Sequence, residues 1–554
     1  MNHLSDRTAA VWLLLLLVMG PAAPGGFHFR DVTSQTGIDF VHTDGSSGRR
    51  YIVETVAAGL ALFDYDGDGD DDIYFLNGAP LRGTSTETTP RNRLYRNDGH
   101  WRFTDVTESA GVGDTGYGLG VTAGDYDNDG DLDLYLNNFG PNVLYRNNGE
   151  GTFTDVTEEA GVANGDQVGA GTCFLDMDAD GDLDLYVANY LVFSYDQHKT
   201  LTSNGVPLYA NPRFYKPVSD TVFRNNGDGT FSNVSQSCGV GGHAGWGMGV
   251  VCADYDQDGD TDIFVANDVA ENFLWQNDGT GRFMEVGLIS GVAYDMHGDE
   301  QGSMGVDCAD FNNDGRLDFF QTSYQDQLAT LYQNMGGGTF QDVTMTTGAG
   351  RQTLAAVTWG TGLVDFDNDG DRDLFIAQGH LQDTIERYDD ARTYHQKNHL
   401  MENTGTGSYV DVTESSGPGM QVRLTSRGVG FGDLDQDGDM DVVVLNPRQR
   451  PTLLRNDTAN CGNWLRVGLR GIKTNRFGVG AQVRVIAGDL TMADEVHSGR
   501  GYQSHYGLKL HFGLGKRAKI DRIEVKWIGG RTDVYRNVDV NQELCLVEGG
   551  TGSI

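Results

Sequence analysis

The sequence predicts an all-β protein: a seven-bladed β-propeller whose N-terminal strand closes the last blade, followed by a small C-terminal β-rich domain. Three observations predict it. An acidic nine-residue element, D-x-[DN]-x-D-G-x-x-D, returns seven times. An apolar strand stands on each side of every copy, and a second strand–turn–strand module follows each one. Four short antiparallel strands per repeat, repeated around an axis, make a propeller.

Taken in chain order, residues 1–26 have the layout of a secretory signal peptide. Arg7 precedes the apolar run Ala9 to Met19, and small residues follow at Gly20, Ala22 and Ala23. That run is too short to span a bilayer, and no other segment approaches the required length. The mature chain is therefore expected to be secreted, or periplasmic in a Gram-negative bacterium.

The ring is expected over residues 27–456. Its acidic elements start at Asp64, Asp125, Asp176, Asp254, Asp310, Asp365 and Asp433, and a glycine stands five residues before each. Such a glycine fits an innermost strand, where backbones crowd at the centre. The second module reads LYRN, a turn, then F-x-D-V-T. Its asparagines are Asn97, Asn147, Asn225, Asn277, Asn334, Asn403 and Asn456, and turns such as NDG and NNG tolerate positive φ. Strand A thus precedes each acidic loop, B follows it, C carries LYRN and D carries F-x-D-V-T. One strand D, Phe29–Thr33, precedes any strand A, and the seventh repeat lacks its own after Asn456. Pairing the two closes the ring and leaves no free edge.

The acidic loops read as up to seven Ca²⁺ sites. Calcium takes six to eight hard oxygen ligands in flexible geometry. Side chains at positions 1, 3, 5 and 9, with a main-chain carbonyl at 7, can converge on one ion, while glycine at 6 permits the sharp turn. The candidate ligands are Asp64, Asp66, Asp68 and Asp72; Asp125, Asp127, Asp129 and Asp133; Asp176, Asp178, Asp180 and Asp184. They continue with Asp254, Asp256, Asp258 and Asp262; Asp310, Asn312, Asp314 and Asp318; Asp365, Asp367, Asp369 and Asp373; Asp433, Asp435, Asp437 and Asp441. No copy has the Glu at position 12 that an EF-hand needs, so these are hairpin loops. Magnesium suits them less, being strictly octahedral and slow to shed water.

These repeats resemble the FG-GAP and VCBS repeats of integrin α-type propellers. The whole arrangement resembles the cartilage-acidic-protein-like family, whose propeller ends in an ASPIC/UnbV domain. NWLRVGLRG (Asn463–Gly471), NRFGVGAQVRV (Asn475–Val485), LHFGLG (Leu510–Gly515) and IDRIEVKWIGGR (Ile520–Arg531) carry that match. The resemblance implies a C-terminal domain over 457–554. Only one GAP triplet (Gly78–Pro80) stands where the repeat's name would place it, and no cysteine-dense EGF-like module follows the tail.

Charge narrows the function. Asp and Glu number 79 against 40 Lys and Arg, a formal net charge of −39, which disfavours nucleic acid or an anionic membrane as partner. From Asp457 onward 14 basic residues meet 10 acidic ones, so a basic cap on an acidic ring is an electrostatic docking within the chain. The six cysteines form no CxxC pair. Cys173, Cys252 and Cys308 read as small core residues, and a bridge between Cys461 and Cys545 is left open. Asn233 and Asn456 sit in glycosylation sequons.

There is no G-x-S-x-G, H-E-x-x-H or P-loop, and His243, His297, His380, His395 and His399 fall in inter-strand loops. The reading is a secreted, calcium-stabilised interaction or adhesion protein for an extracellular protein or glycan. The alternative is a propeller enzyme or accessory biosynthetic protein acting on a glycan or small molecule. Oligomeric state is not legible. The partner face is expected opposite the acidic loops, on the long B–C insertions Tyr190–Ser219 and His380–Lys397, with Tyr209, Phe214 and Tyr215 as its contacts; the alternative is that the first insertion folds down to plug the channel or packs on its own blade.

Overall fold

A computed structural model of the protein describes residues 26–550 and 552–553; the expected signal peptide lies outside these except for Gly26. The repeats form seven antiparallel sheets, each with four strands in the order A–B–C–D, the fourth gaining a fifth strand, Gln301–Gly302, on its strand B; together they build a propeller. In the second repeat the strands are Tyr117–Gly124, Asp133–Phe139, Val143–Asn147 and Phe153–Asp155. The innermost strands neighbour one another in cyclic order, first to seventh and back to first.

The seventh sheet is completed as expected. Phe29–Asp31 pairs with Thr452–Asn456 in the register Phe29 to Asn456 and Asp31 to Leu454. The recurrent glycines also have their physical reason. A Cβ on Gly120 would lie 1.9 Å from the Ala170 carbonyl oxygen of the next strand A, and one on Gly305 would lie 2.3 Å from that of Trp359. One feature escaped the sequence reading: strand D of the first five repeats runs into a one-turn helix, such as Thr107–Ala110, ended by a left-handed glycine such as Gly111.

The tail forms a three-stranded and a five-stranded sheet, with Leu465, Val483, Ile523 and Trp527 in one core that also takes in residues of the second and third repeats. It lies on the acidic-loop face. Between strands Leu490–Glu495 and Leu510–Gly515 the chain leaves the sheets and enters the centre of the ring. There Ser498 pairs with Phe174, Gly501 with Val306 and His505 with Ala61. Arg500 Nε meets Asp307 Oδ1 at 2.6 Å, both buried. Tyr506 Oη donates to the Thr361 carbonyl at 3.1 Å. This plug was not foreseen.

The opposite face carries the two insertions, but they fold inward. Tyr209 and Tyr215 are each only 5% exposed, whereas Phe214 is 53% exposed. Tyr209 Oη donates to Glu54 Oε2 at 2.9 Å and accepts from Arg448 Nη2 at 3.1 Å. The expected exposed trio is therefore corrected to one exposed ring. The mouth of the channel is apolar, and covering it removes more hydrocarbon from water than leaving the tyrosines outside.

Among the described residues all six cysteines are free, Cys461 and Cys545 included. Of the loop histidines, His380 is buried and its pKa is pushed down to about 4, first by desolvation and then by Arg427. Asn456 is buried with its amide donated to the Phe366 carbonyl, which leaves no room for a glycan; Asn233 is exposed.

Candidate metal centres

Each acidic loop is shaped by its own carboxylates. In the second repeat Asp125 Oδ1 accepts from the Asp129 amide at 3.1 Å and Oδ2 from Gly130 at 2.9 Å. Asp129 Oδ1 accepts from the Asp131 amide. Asp133 holds the ends together: Oδ2 accepts from Tyr126 at 3.0 Å, and Oδ1 from the Asn147 amide at 2.8 Å. Positive φ at Asn128 and Gly130 closes the turn. The fifth and seventh loops repeat these bonds through Asp310 and Asp318 and through Asp433 and Asp441. Asn312 at position 3 does not disturb the scaffold.

Side-chain oxygens at positions 1, 3 and 9 lie within 4.8 Å of one another in several loops. Among the groups are Asp64, Asp66 and Asp72; Asp125, Asp127 and Asp133; Asp176, Asp178 and Asp184; Asp254, Asp256 and Asp262; Asp365, Asp367 and Asp373; none of these five includes the position-5 carboxylate. Such groups could hold a metal ion. The donors are all hard oxygens, the set that suits calcium rather than a softer metal.

The electrostatics point the same way. Desolvation first, and like-charged neighbours after it, push Asp176 up to about 7. Burial, opposed by the backbone amides, raises Asp125 and Asp310 to about 7 and Asp72 to about 9. Asp133, Asp184, Asp318 and Asp441 are raised well above the carboxylate range by the same burial. Buried oxygens without a donor remain at Asp127 Oδ1, Asp178 Oδ1, Asp254 Oδ1, Asp262 Oδ2 and Asp435 Oδ1. An unpaired buried carboxylate oxygen is costly, and a divalent cation at the centre of each loop would satisfy it.

The loops are not equivalent, and no repeat pattern could have said so. Lys526 Nζ lies 3.1 Å from Asp254 Oδ2, with the buried Glu495 carboxylate against the Asp254 amide. Arg466 Nη1 lies 3.3 Å from Asp433 Oδ2. Lys509 Nζ donates to the Gly69 carbonyl at 2.7 Å, and Arg476 Nε to that of Asn128 at 3.1 Å. The basic cap thus docks directly on the acidic loops.

A ring of four-stranded sheets with an acidic hairpin loop in every repeat defines a repeat propeller of the FG-GAP class. The chain belongs to the FG-GAP-like repeat family, which matches residues 64–136, 129–187, 213–265, 254–321, 310–376 and 365–444, and it carries an ASPIC and UnbV segment at 471–553. It is similar to cartilage acidic protein 1 of Xenopus tropicalis, 25% identical over 498 residues, covering 86% of this chain and 62% of the relative. It is also similar to cartilage acidic protein 1 of Mus musculus, 25% identical over 533 residues, covering 88% and 73%. The chain thus spans less than two thirds of the Xenopus relative. Among solved structures it is similar to the BP39L lectin of Burkholderia pseudomallei, at 10% identity and a TM-score of 0.45, covering 74% of this chain and 98% of the lectin. It is similar too to YCF48 bound to a D1 peptide, at 6% identity and a TM-score of 0.41, covering 77% and 94%.

Proposed function

We propose that this chain is an exported, calcium-stabilised binding protein, in which residues 27–456 form the ring and 457–554 a cap locked into it. The observation that carries the calcium reading is the set of buried carboxylate oxygens without donors, at position 3 of the second, third and seventh loops and at positions 1 and 9 of the fourth, in loops whose every side-chain ligand is oxygen. The ligands are the residues at positions 1, 3, 5 and 9 of each loop, from Asp64 to Asp441, with the position-7 carbonyl. Each ion would neutralise repelling carboxylates and fix the A–B hairpin that the neighbouring repeat packs against. The N-terminal apolar run supports export, and millimolar calcium outside cells would keep such sites filled.

An extracellular protein or glycan is the proposed partner. Among the described residues no helix is long and apolar enough to cross a membrane. Calcium titration of chelator-treated protein, followed by calorimetry and elemental analysis, tests the metal reading. Uptake of several ions per chain with a rise in Tm is expected. A stoichiometry of zero, or equal stabilisation by magnesium, would overturn it.

A further inference from the structure

In three consecutive repeats the residue before the strand-A glycine lines one cavity. In the fourth, fifth and sixth repeats it is Met248, Met304 and Trp359, three large apolar side chains in succession. The plug forms the floor beneath them: the Tyr502 ring meets Trp359 edge-on at 5.2 Å, and its hydroxyl donates to the Val56 carbonyl at 3.0 Å. The insertion after Tyr190 forms a wall above. What remains is a cavity of about 320 Å³, mostly apolar, rimmed by partly exposed Tyr324 and Pro212.

One carboxylate lines this cavity. Asp268 Oδ2 accepts from Tyr190 Oη at 2.7 Å. Among the described residues no group donates to its Oδ1. Arg213, whose charge reaches Asp268, makes its ion pair with Glu300 and donates to the Val269 carbonyl at 2.9 Å. The strand is distorted where Asp268 stands. Its register shifts between Asp268 and Ala270, and Val269 sits at φ 58°, a conformation that β-branched residues rarely adopt. Strain of this kind clusters at ligand sites.

We propose that this pocket binds a small organic cation with an apolar body. The ammonium group pairs with Asp268 Oδ1, and the hydrocarbon part lies against Trp359, Tyr190, Met248 and Met304. Asp268 is half-buried, and its undonated Oδ1 offers an acceptor to a charged amine. Arg427 already stacks on Trp359, 3.7 Å from the ring centre, so Trp359 offers the ligand a hydrocarbon contact rather than a free cation site. A volume near 320 Å³ admits an arylalkylamine and excludes a folded partner. The proposal is independent of the calcium reading, because the pocket lies on the other face.

The test uses the full chain in excess calcium, with phenethylamine, its neutral counterpart 2-phenylethanol, and N-acetylglucosamine as probes, read by calorimetry and tryptophan fluorescence. Phenethylamine is expected to bind at least about tenfold tighter than the alcohol, a difference of about 1.4 kcal/mol. Asp268→Asn should remove that preference while leaving the alcohol unchanged, and Tyr324→Leu should weaken both; far-UV spectra and melting curves verify that each variant folds. Equal binding of amine and alcohol, an undiminished preference in Asp268→Asn, binding of the sugar alone, or no binding of any probe would each overturn the proposal.

Discussion

The side-chain amide of Asn97 donates to the main-chain carbonyl of Leu434 at 2.9 Å, joining the first repeat to the last across 337 residues. The same bond runs from Asn147 to Tyr65, Asn225 to Tyr126, Asn277 to Met177, Asn334 to Tyr255, Asn403 to Phe311 and Asn456 to Phe366, at 2.7 to 2.9 Å. Each asparagine's own amide meanwhile donates to the position-9 Asp of its repeat, as Asn334 does to Asp318 at 2.7 Å. Every LYRN asparagine therefore ties its own acidic loop to the preceding one, and the ring closes through these seven latches.

Replacing Asn334 with Ala removes two buried donors and leaves the Tyr255 and Leu317 carbonyls unsatisfied. A loss of about 1–3 kcal/mol per orphaned group is expected. The denaturant midpoint in excess calcium measures it. An unchanged midpoint would remove the latch from the account.

Calcium removal should be far more damaging. At about 1 mM free calcium and a Kd of about 10 μM, binding adds roughly 2.7 kcal/mol per occupied site. Seven ions would bring the formal charge from −39 to −25, since 7 × 2 = 14. Chelator is expected to lower Tm by tens of degrees, with magnesium restoring little. Differential scanning calorimetry of protein verified as metal-free checks this.

Acid should act in the unusual direction on the metal-free protein. Asp125, Asp176, Asp310 and Asp367 titrate near 7 in the fold against an ordinary 3.8, each raised first by burial. A raised carboxylate pKa stabilises the protonated fold. Its contribution is complete below about pH 4 and lost as pH rises through about 7. In chelator, Tm should fall between about pH 5 and pH 8, whereas in excess calcium it should not. Calcium binding near pH 7 should release protons, measurable as a buffer-dependent enthalpy.

The fourth loop should bind calcium more weakly than its neighbours, because Lys526 occupies the field of Asp254. Lys526→Met is expected to tighten one site several-fold and leave the others unchanged. Resolved binding isotherms of parent and variant decide it; superimposable isotherms would refute the competition.

The plug is held by the buried pair of Arg500 and Asp307. Arg500→Met leaves a buried carboxylate without its partner, at a cost of about 3–5 kcal/mol. The double change with Asp307→Leu should recover most of that loss. Chemical denaturation of the three variants checks both steps, and a double variant no better than the single would exclude the pair as the cause.

The repeats were legible because their information is local. Nine residues set each acidic loop, a single glycine marks each crowded inner strand, and one displaced FRDVT strand announces the closure of the ring. The loop geometry follows from that spacing alone, since Asp125 and Asp133 are bonded to amides within their own loop or hairpin. The plug has no such signature. His497, Ser498, Arg500, Gln503 and His505 belong to no repeat and form no motif, yet each is at most 6% exposed. Their partners are strand atoms hundreds of residues away, such as Leu60 for His505 and Asp307 for Arg500. Tyr209 and Tyr215 were misread for the same reason: whether an aromatic ring faces water depends on the apolar channel beneath it, and only the closed ring creates that channel. Local spacing thus determined the repeats and their loops. Tertiary structure alone decided what fills the centre, because burial there is a property of seven sheets together and of no single stretch of chain.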